Sequence, residues 1–218
     1  MRADFIRPRL VLVTTPLPDG EVGVETLRAA LGAGDVSSVI LDRAGRSSHA
    51  FQAFAERLVP MIQDFGAAAL VADDTQCAGR VRADGLHVSG GDLELLTETL
   101  ERFSPKLIVG TSGFTLRHEA LEAGERMPDY LFFGRFGGDT EDAAVAEDLE
   151  MAEWWAEIVE IPCIVMGGRD IESTLQAAST GAEFVALSAA VLGDRETAAA
   201  MVLRANAIID AVTESVAA

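Results

Sequence analysis

The chain has 218 residues, 49% of them apolar and 24% charged, enough apolar side chain for one sizeable core but not for two. Its net charge of −18 argues against nucleic acid as a partner, because polyanion binding needs clustered Lys and Arg, and the sequence holds no such cluster. No apolar run reaches the ~18 residues of a membrane span, and the start, MRADFIRPRL, lacks the apolar stretch of a signal peptide, so a cytoplasmic protein is expected.

Eight short apolar runs follow one another along the chain, at 10–14, 36–41, 67–72, 85–88, 107–110, 130–134, 161–167 and 184–188. Between them apolar residues recur at helical spacing, as in Phe51, Phe54, Ala55, Leu58 and Ile62, or Leu93, Leu96 and Leu100. The runs are continuously apolar instead of alternating, which requires cover on both faces and therefore parallel strands wrapped by helices. Units of roughly 25 residues in β-then-α order predict a closed (β/α)8 TIM barrel. An open doubly wound sheet is disfavoured because LVLVTTPLPDG, and no GxGxxG, occupies the first βα turn. No linker-like stretch divides the chain, so residues 1–218 read as a single domain. The irregular stretch that stands out is 135–142, after the sixth run.

Barrels of this kind bind ligands at the carboxyl ends of their strands, and phosphate after strands seven and eight. In so acidic a chain, attraction for an anionic ligand has to come from main-chain N–H groups, a few Arg or a metal ion. The seventh run ends in Gly167 and Gly168, with a helix expected to start near Asp170 and Ile171. The eighth ends in Leu187 and Ser188, where small residues again leave main-chain donors accessible. These four residues are the candidate phosphate site. Asp73 and Asp92, at the ends of neighbouring runs, suit Mg²⁺, which takes one or two carboxylates and completes its shell with water and phosphate. Alternatively, Asp73 or Asp74 caps the third helix and Asp92 the fourth. Ser112 is placed to hydrogen-bond a ligand, and Thr115 is expected to cap the helix that follows. His87 reads as a hydrogen-bonded core histidine, His49 and His118 are assigned no chemistry, and Trp154 and Trp155 read as packing or a subunit contact. Cys77 and Cys163 show neither CxxC spacing nor a paired histidine, and are expected to be reduced and structural.

Over nearly its whole length the chain resembles the thiamine phosphate synthase and thiazole tautomerase family. RLVLVTTP is similar to the family's first strand, RADGLHVSGGD to its GADGVHLGQxD segment and LIVGTSGFTLRHEALEAGE to its IGxS-plus-helix unit. PDYLFFG resembles ADYIGxG, IPCIVMGG resembles IPVVAIGG, and GAEFVALSAAVL resembles GADGVAVVSAI. The resemblance implies a transferase that joins a hydroxymethylpyrimidine diphosphate to thiazole phosphate with Mg²⁺, releasing pyrophosphate. It implies that Gly167, Gly168, Leu187 and Ser188 hold the thiazole phosphate, that Asp73 and Asp92 hold Mg²⁺, and that Ser112 contacts the diphosphate. The family's QLRxK clamp for the diphosphate is ILDRA here, its NDR is Ala72-Asp73-Asp74, and its PTxTK loop is GRFGGDTED. Replacement cations would have to be Arg43 or Arg135, with Arg46 and Arg169 as further choices. The tautomerase branch has an acid–base histidine where this chain has Arg135, and arginine does not shuttle protons near neutral pH. The alternatives to a transferase are a non-catalytic homologue that binds thiazole phosphate or thiamine phosphate, and a tautomerase-like isomerase. A homodimer is a further expectation.

Overall fold

The computed structural model describes residues 6–217. The strands are β1 (Arg9–Val13), β2 (Ser38–Leu41), β3 (Ala68–Ala72), β4 (Gly85–Val88), β5 (Ile108–Ser112), β6 (Tyr130–Phe133), β7 (Cys163–Met166) and β8 (Phe184–Leu187). They pair in parallel, each with the next, and β8 pairs with β1 to close the barrel. The helices are α1 (Glu21–Leu31), α2 (Ser48–Asp64), α3 (Thr75–Val81), α4 (Leu93–Phe103), α5 (Arg117–Gly124), α6 (Ala146–Ile158), α7 (Thr174–Ala178), α8 (Ala189–Leu192) and α9 (Ala198–Ala217). A short 3₁₀ turn, Ile171–Ser173, precedes α7. Each strand starts and stops within two residues of its apolar run, and the TIM barrel expected from the alternation is the fold observed. No helix among the described residues is long and apolar enough to cross a membrane.

Strand geometry divides the apolar residues into two cores, because successive side chains point to opposite faces. Val11, Val13, Ile40, Leu70, Ala72, Tyr130, Phe132, Ile164, Met166 and Ala186 fill the barrel. Their neighbours, such as Leu10, Leu12, Leu41, Val71, Leu131, Val165 and Leu187, pack outward against the helices. Trp155 belongs to this outer layer: it is fully buried, stacks edge-on to Phe133 and donates its indole N–H to the Ile161 carbonyl at 2.7 Å. Cys77 and Cys163 are free and buried, and burial raises both thiols, Cys77 to about 11, so neither is a ready nucleophile.

At the amino end of the barrel one device recurs. Asp84, just before β4, accepts the Ala69 N–H of β3 at 2.8 Å. Asp129, before β6, accepts the Val109 N–H of β5 at 2.7 Å, and Glu183, before β8, accepts the Cys163 N–H of β7 at 2.9 Å. Asp35, before β2, instead pairs with Arg9 of β1 at 2.7 Å. An acidic residue thus ties each even strand to the odd strand before it, satisfying donors that the parallel ladder leaves at its start.

Helix starts follow the capping chemistry expected of Ser and Asp: Ser47 caps α2, Asp74 caps α3 and Asp92 caps α4. Thr115 does not cap α5. The helix begins two residues later, at Arg117, where Glu119 reaches back to accept the Leu116 N–H at 3.3 Å.

Inside the barrel the Tyr130 ring lies across Gly110 of the adjacent strand, so a Cβ at Gly110 would fall within the ring. Gly110→Ala should therefore overpack the interior and cost about 1–3 kcal/mol. Urea denaturation of the two proteins checks this, and an unchanged midpoint would show that the interior yields.

Candidate functional site at the carboxyl ends of the strands

Along β3, β4 and β5 the rim is stitched together by polar contacts. Asp73 follows β3 in the left-handed region, with φ of 54°. Its carboxylate accepts both the Ser89 N–H at 2.8 Å and the Ser89 hydroxyl at 2.6 Å, joining the end of β3 to that of β4. Gly91 donates its N–H to the Ser112 carbonyl at 2.8 Å, joining β4 to β5. Asp92 accepts the Leu95 N–H at 2.9 Å as the α4 cap. Asp73, Asp92 and Ser112 therefore occupy one arc of the rim. Both carboxylates are exposed, and neither pairs with a cation among the described residues. Each also keeps unused acceptor positions, since a carboxylate has about four lone-pair sites.

Ser112 faces inward. Its Oγ lies 2.9 Å from His87 Nε2, and His87 Nδ1 lies 2.9 Å from the Tyr130 hydroxyl, so the histidine is the hydrogen-bonded core residue expected. Phe132 and Phe136 complete its surroundings, with Phe136 at 5.0 Å between ring centres. Burial pushes the imidazole down to about 3 and the Tyr130 phenol well above its ordinary range, the latter with help from Asp129. The triad is neutral across the physiological range.

Along β1 and β2 the arginines are engaged. Asp42, which stands in the barrel-facing series after Ile40, accepts the Thr15 hydroxyl at 2.7 Å, and its N–H donates to Thr14 Oγ1 at 3.0 Å. Arg43 pairs with Asp74 at 2.7 Å and lies over the Phe51 ring. Arg46 lies 4.0 Å over the Phe54 ring and bonds Asp19 and the Leu17 carbonyl. Arg135 and Arg169 are exposed, with no ion pair among the described residues.

The turns after β7 and β8 lie side by side, as the candidate phosphate site requires, but the donors of the two glycines are in use. Gly167 N–H bonds the Ala186 carbonyl at 2.9 Å and Gly168 N–H bonds Ser173 Oγ at 2.8 Å. Leu187 points its side chain into the outer core, so only its main chain faces the turn. Residues 135–142 fold over both turns. Phe136 enters the mouth above His87 and Phe132, and Asp139 accepts the Ala189 N–H at 2.6 Å. Gly168 makes room, because a Cβ there would collide with the main chain of Asp142 and Ala143. Sequence reading missed Phe136 and Asp139 as parts of the mouth. Nothing in GRFGGDTED distinguishes Asp139 from Glu141 or Asp142, whose side chains are exposed.

A closed eight-stranded barrel with its reactive polar side chains gathered at the carboxyl ends of the strands defines a (β/α)8 protein of the kind that builds ligand sites from its βα loops. The sequence profile of the thiamine monophosphate synthase family matches residues 10–191, and the chain belongs to that family. The thiamine-phosphate synthase of Rhodospirillum centenum is 33% identical over 202 residues, covering 92% of this chain and 97% of the relative. That of Hyphomonas neptunium is 30% identical, covering 94% and 96%. Among solved structures, thiamine phosphate pyrophosphorylase from Pyrococcus furiosus superimposes with a TM-score of 0.77 at 24% identity, over 94% of this chain and 96% of that one, a likeness of fold.

The buried imidazole has a measurable consequence. His87 stays neutral in the folded protein down to about 3, whereas in the unfolded chain it takes up a proton below about 6.5. Acidification from 6.5 therefore favours the unfolded state, by up to about 1.4 kcal/mol per pH unit from this residue. Urea unfolding at pH 7, 6 and 5 should show a shallower loss of stability in His87→Gln than in wild type. Parallel profiles would contradict the burial argument.

Proposed function

We propose that the chain is a thiamine phosphate synthase, joining hydroxymethylpyrimidine diphosphate to thiazole phosphate and releasing pyrophosphate. The observation that carries this reading is the linked rim of β3, β4 and β5, where Asp73 and Asp92 stand exposed and Ser112 is tied to them through Ser89 and Gly91. Departure of pyrophosphate leaves positive charge on the pyrimidine methylene, which the thiazole nitrogen captures. The protein's tasks are to hold two anionic groups in register and to avoid opposing that cation.

The neutral His87–Tyr130–Ser112 triad meets the second task, since a protonated imidazole at the mouth would repel the developing charge. Phe132 and Phe136 add aromatic faces, which attract cations. Asp73 and Asp92 fit Mg²⁺: both are hard oxygen donors, exposed and unpaired with any described cation. Bound there, Mg²⁺ would neutralise the diphosphate and stabilise the leaving pyrophosphate. Ser112 would contact the diphosphate. Arg135 and Arg169, exposed beside the ends of β6 and β7, would supply the cations that Asp42 and the Asp74-paired Arg43 do not. Gly167, Gly168, Leu187 and Ser188 would shape the turns that receive the thiazole phosphate; with the Gly167 and Gly168 N–H groups held by Ala186 and Ser173, the donors would come from the turn after β8 once residues 135–142 move aside.

One observation favours a second reading, a homologue that binds the phosphorylated ligand without transfer. Asp42 stands in the segment ILDRA that replaces the clamp, and at close range a carboxylate repels a diphosphate. Incubation with both substrates and Mg²⁺ decides between them. Thiamine phosphate should form with wild type and fall at least about tenfold with Asp73→Ala, the order expected for a lost metal-ligand contact. Ligand binding without product would establish the second reading.

A further inference from the structure

The chain supplies an anion of its own where the ligand's phosphate is expected. Asp139 is only 8% exposed, and its Oδ2 accepts the Ala189 N–H at 2.6 Å, directly after β8. The same loop takes the next main-chain donors beyond β7: Arg169 N–H bonds the Glu141 carbonyl at 2.7 Å and Asp170 N–H bonds the Asp142 carbonyl at 3.1 Å. Beside this contact the hydroxyl of Ser188 is fully buried and has no hydrogen-bond partner among the described residues. The alternation that turns Phe184 and Ala186 into the barrel turns Ser188 the same way, toward the mouth that the loop covers. A buried hydroxyl left idle is destabilising. Its presence next to a carboxylate imported from a distant loop marks a place suited to an anion that reaches both the Ala189 N–H and the Ser188 hydroxyl, which Asp139 does not.

We propose that Asp139 is an internal competitor for the phosphoryl group of the ligand. Without ligand, residues 135–142 are shut and the carboxylate holds the Ala189 N–H. A phosphorylated ligand binds by displacing that carboxylate, opening the loop and gaining Ala189 N–H and the Ser188 hydroxyl. This rests on the phosphate placement in the function proposed above. Coexistence is unfavourable: no cation among the described residues pairs with Asp139, the chain carries a net charge of −18, and a dianion beside a buried carboxylate is repelled. Asp139 therefore limits the affinity for phosphate through its charge.

The test uses Asp139→Asn, which keeps a side-chain oxygen for the Ala189 N–H and removes the charge. Titration of the full chain with inorganic phosphate should show about tenfold tighter binding in Asp139→Asn than in wild type, the order of one repulsive charge in a partly solvated contact. Trypsin cleavage of wild type after Arg135, an exposed residue at the base of the loop, should accelerate as phosphate is added. Equal or weaker phosphate binding by Asp139→Asn, binding by neither protein, or slower cleavage at Arg135 overturns the proposal. Failure here is separable from failure of the transferase reading. Thiamine phosphate formed by wild type alongside unchanged phosphate binding would retain the transferase and reject the competitor, whereas tighter binding without product would do the reverse.

Discussion

Every strand of this barrel is buried on both faces, and that constraint governs where polar chemistry can reside. Inner residues such as Val13 and Ile164 pack against each other, while outer residues such as Leu12 and Val165 pack against helices. Groups that must meet a ligand or satisfy unpaired backbone donors are thereby driven to the two ends of the strands. The amino end uses its share for cohesion, through Asp35, Asp84, Asp129 and Glu183. The carboxyl end carries Asp73, Ser89, Asp92 and Ser112. The amino end is thus given to cohesion, and the carboxyl end is the one at which barrels of this class build ligand sites.

The large negative charge is partly explained by that division. Carboxylates at the amino end accept strand N–H groups, and others cap helices or hold arginines, as Asp74 does for both Cys77 and Arg43. Arg43 and Arg46 are consequently bound up on the β2 side, leaving Arg135 and Arg169 as the exposed guanidiniums beside the β6 and β7 ends. The net charge opposes an anion everywhere, so local placement of donors and guanidiniums decides whether one is welcome at the mouth.

The β6–α6 loop is one place where the chain departs from its family's pattern, and its glycines permit the departure. Gly134 and Gly137 take positive φ values of 125° and 67°, which let the chain turn back across the barrel. Gly168 then lets Asp142 and Ala143 settle on the turn after β7, with Phe136 seated against the His87 ring. Substituting GRFGGDTED for PTxTK therefore does more than remove a lysine. It puts an aromatic ring and a carboxylate over the mouth of the barrel.

Periodicity alone was enough to determine the eight strands, their parallel order and the two-sided burial, because continuous apolar runs bounded by helical stretches admit few other packings. Glycines, serines and aspartates at strand ends likewise marked residues 73, 92, 112, 167, 168, 187 and 188 as neighbours of the mouth. Which donors were already spent could not be read from sequence. The Gly168 N–H goes to Ser173 five residues on, the Ala189 N–H to Asp139 fifty residues back, and Asp73 to Ser89 across a strand pair. Such pairings depend on where loops land after the barrel closes, and loop residues carry no period by which their partners can be counted. Only the tertiary structure decides them, since a hydrogen bond requires two groups within about 3 Å and sequence distance places no bound on that.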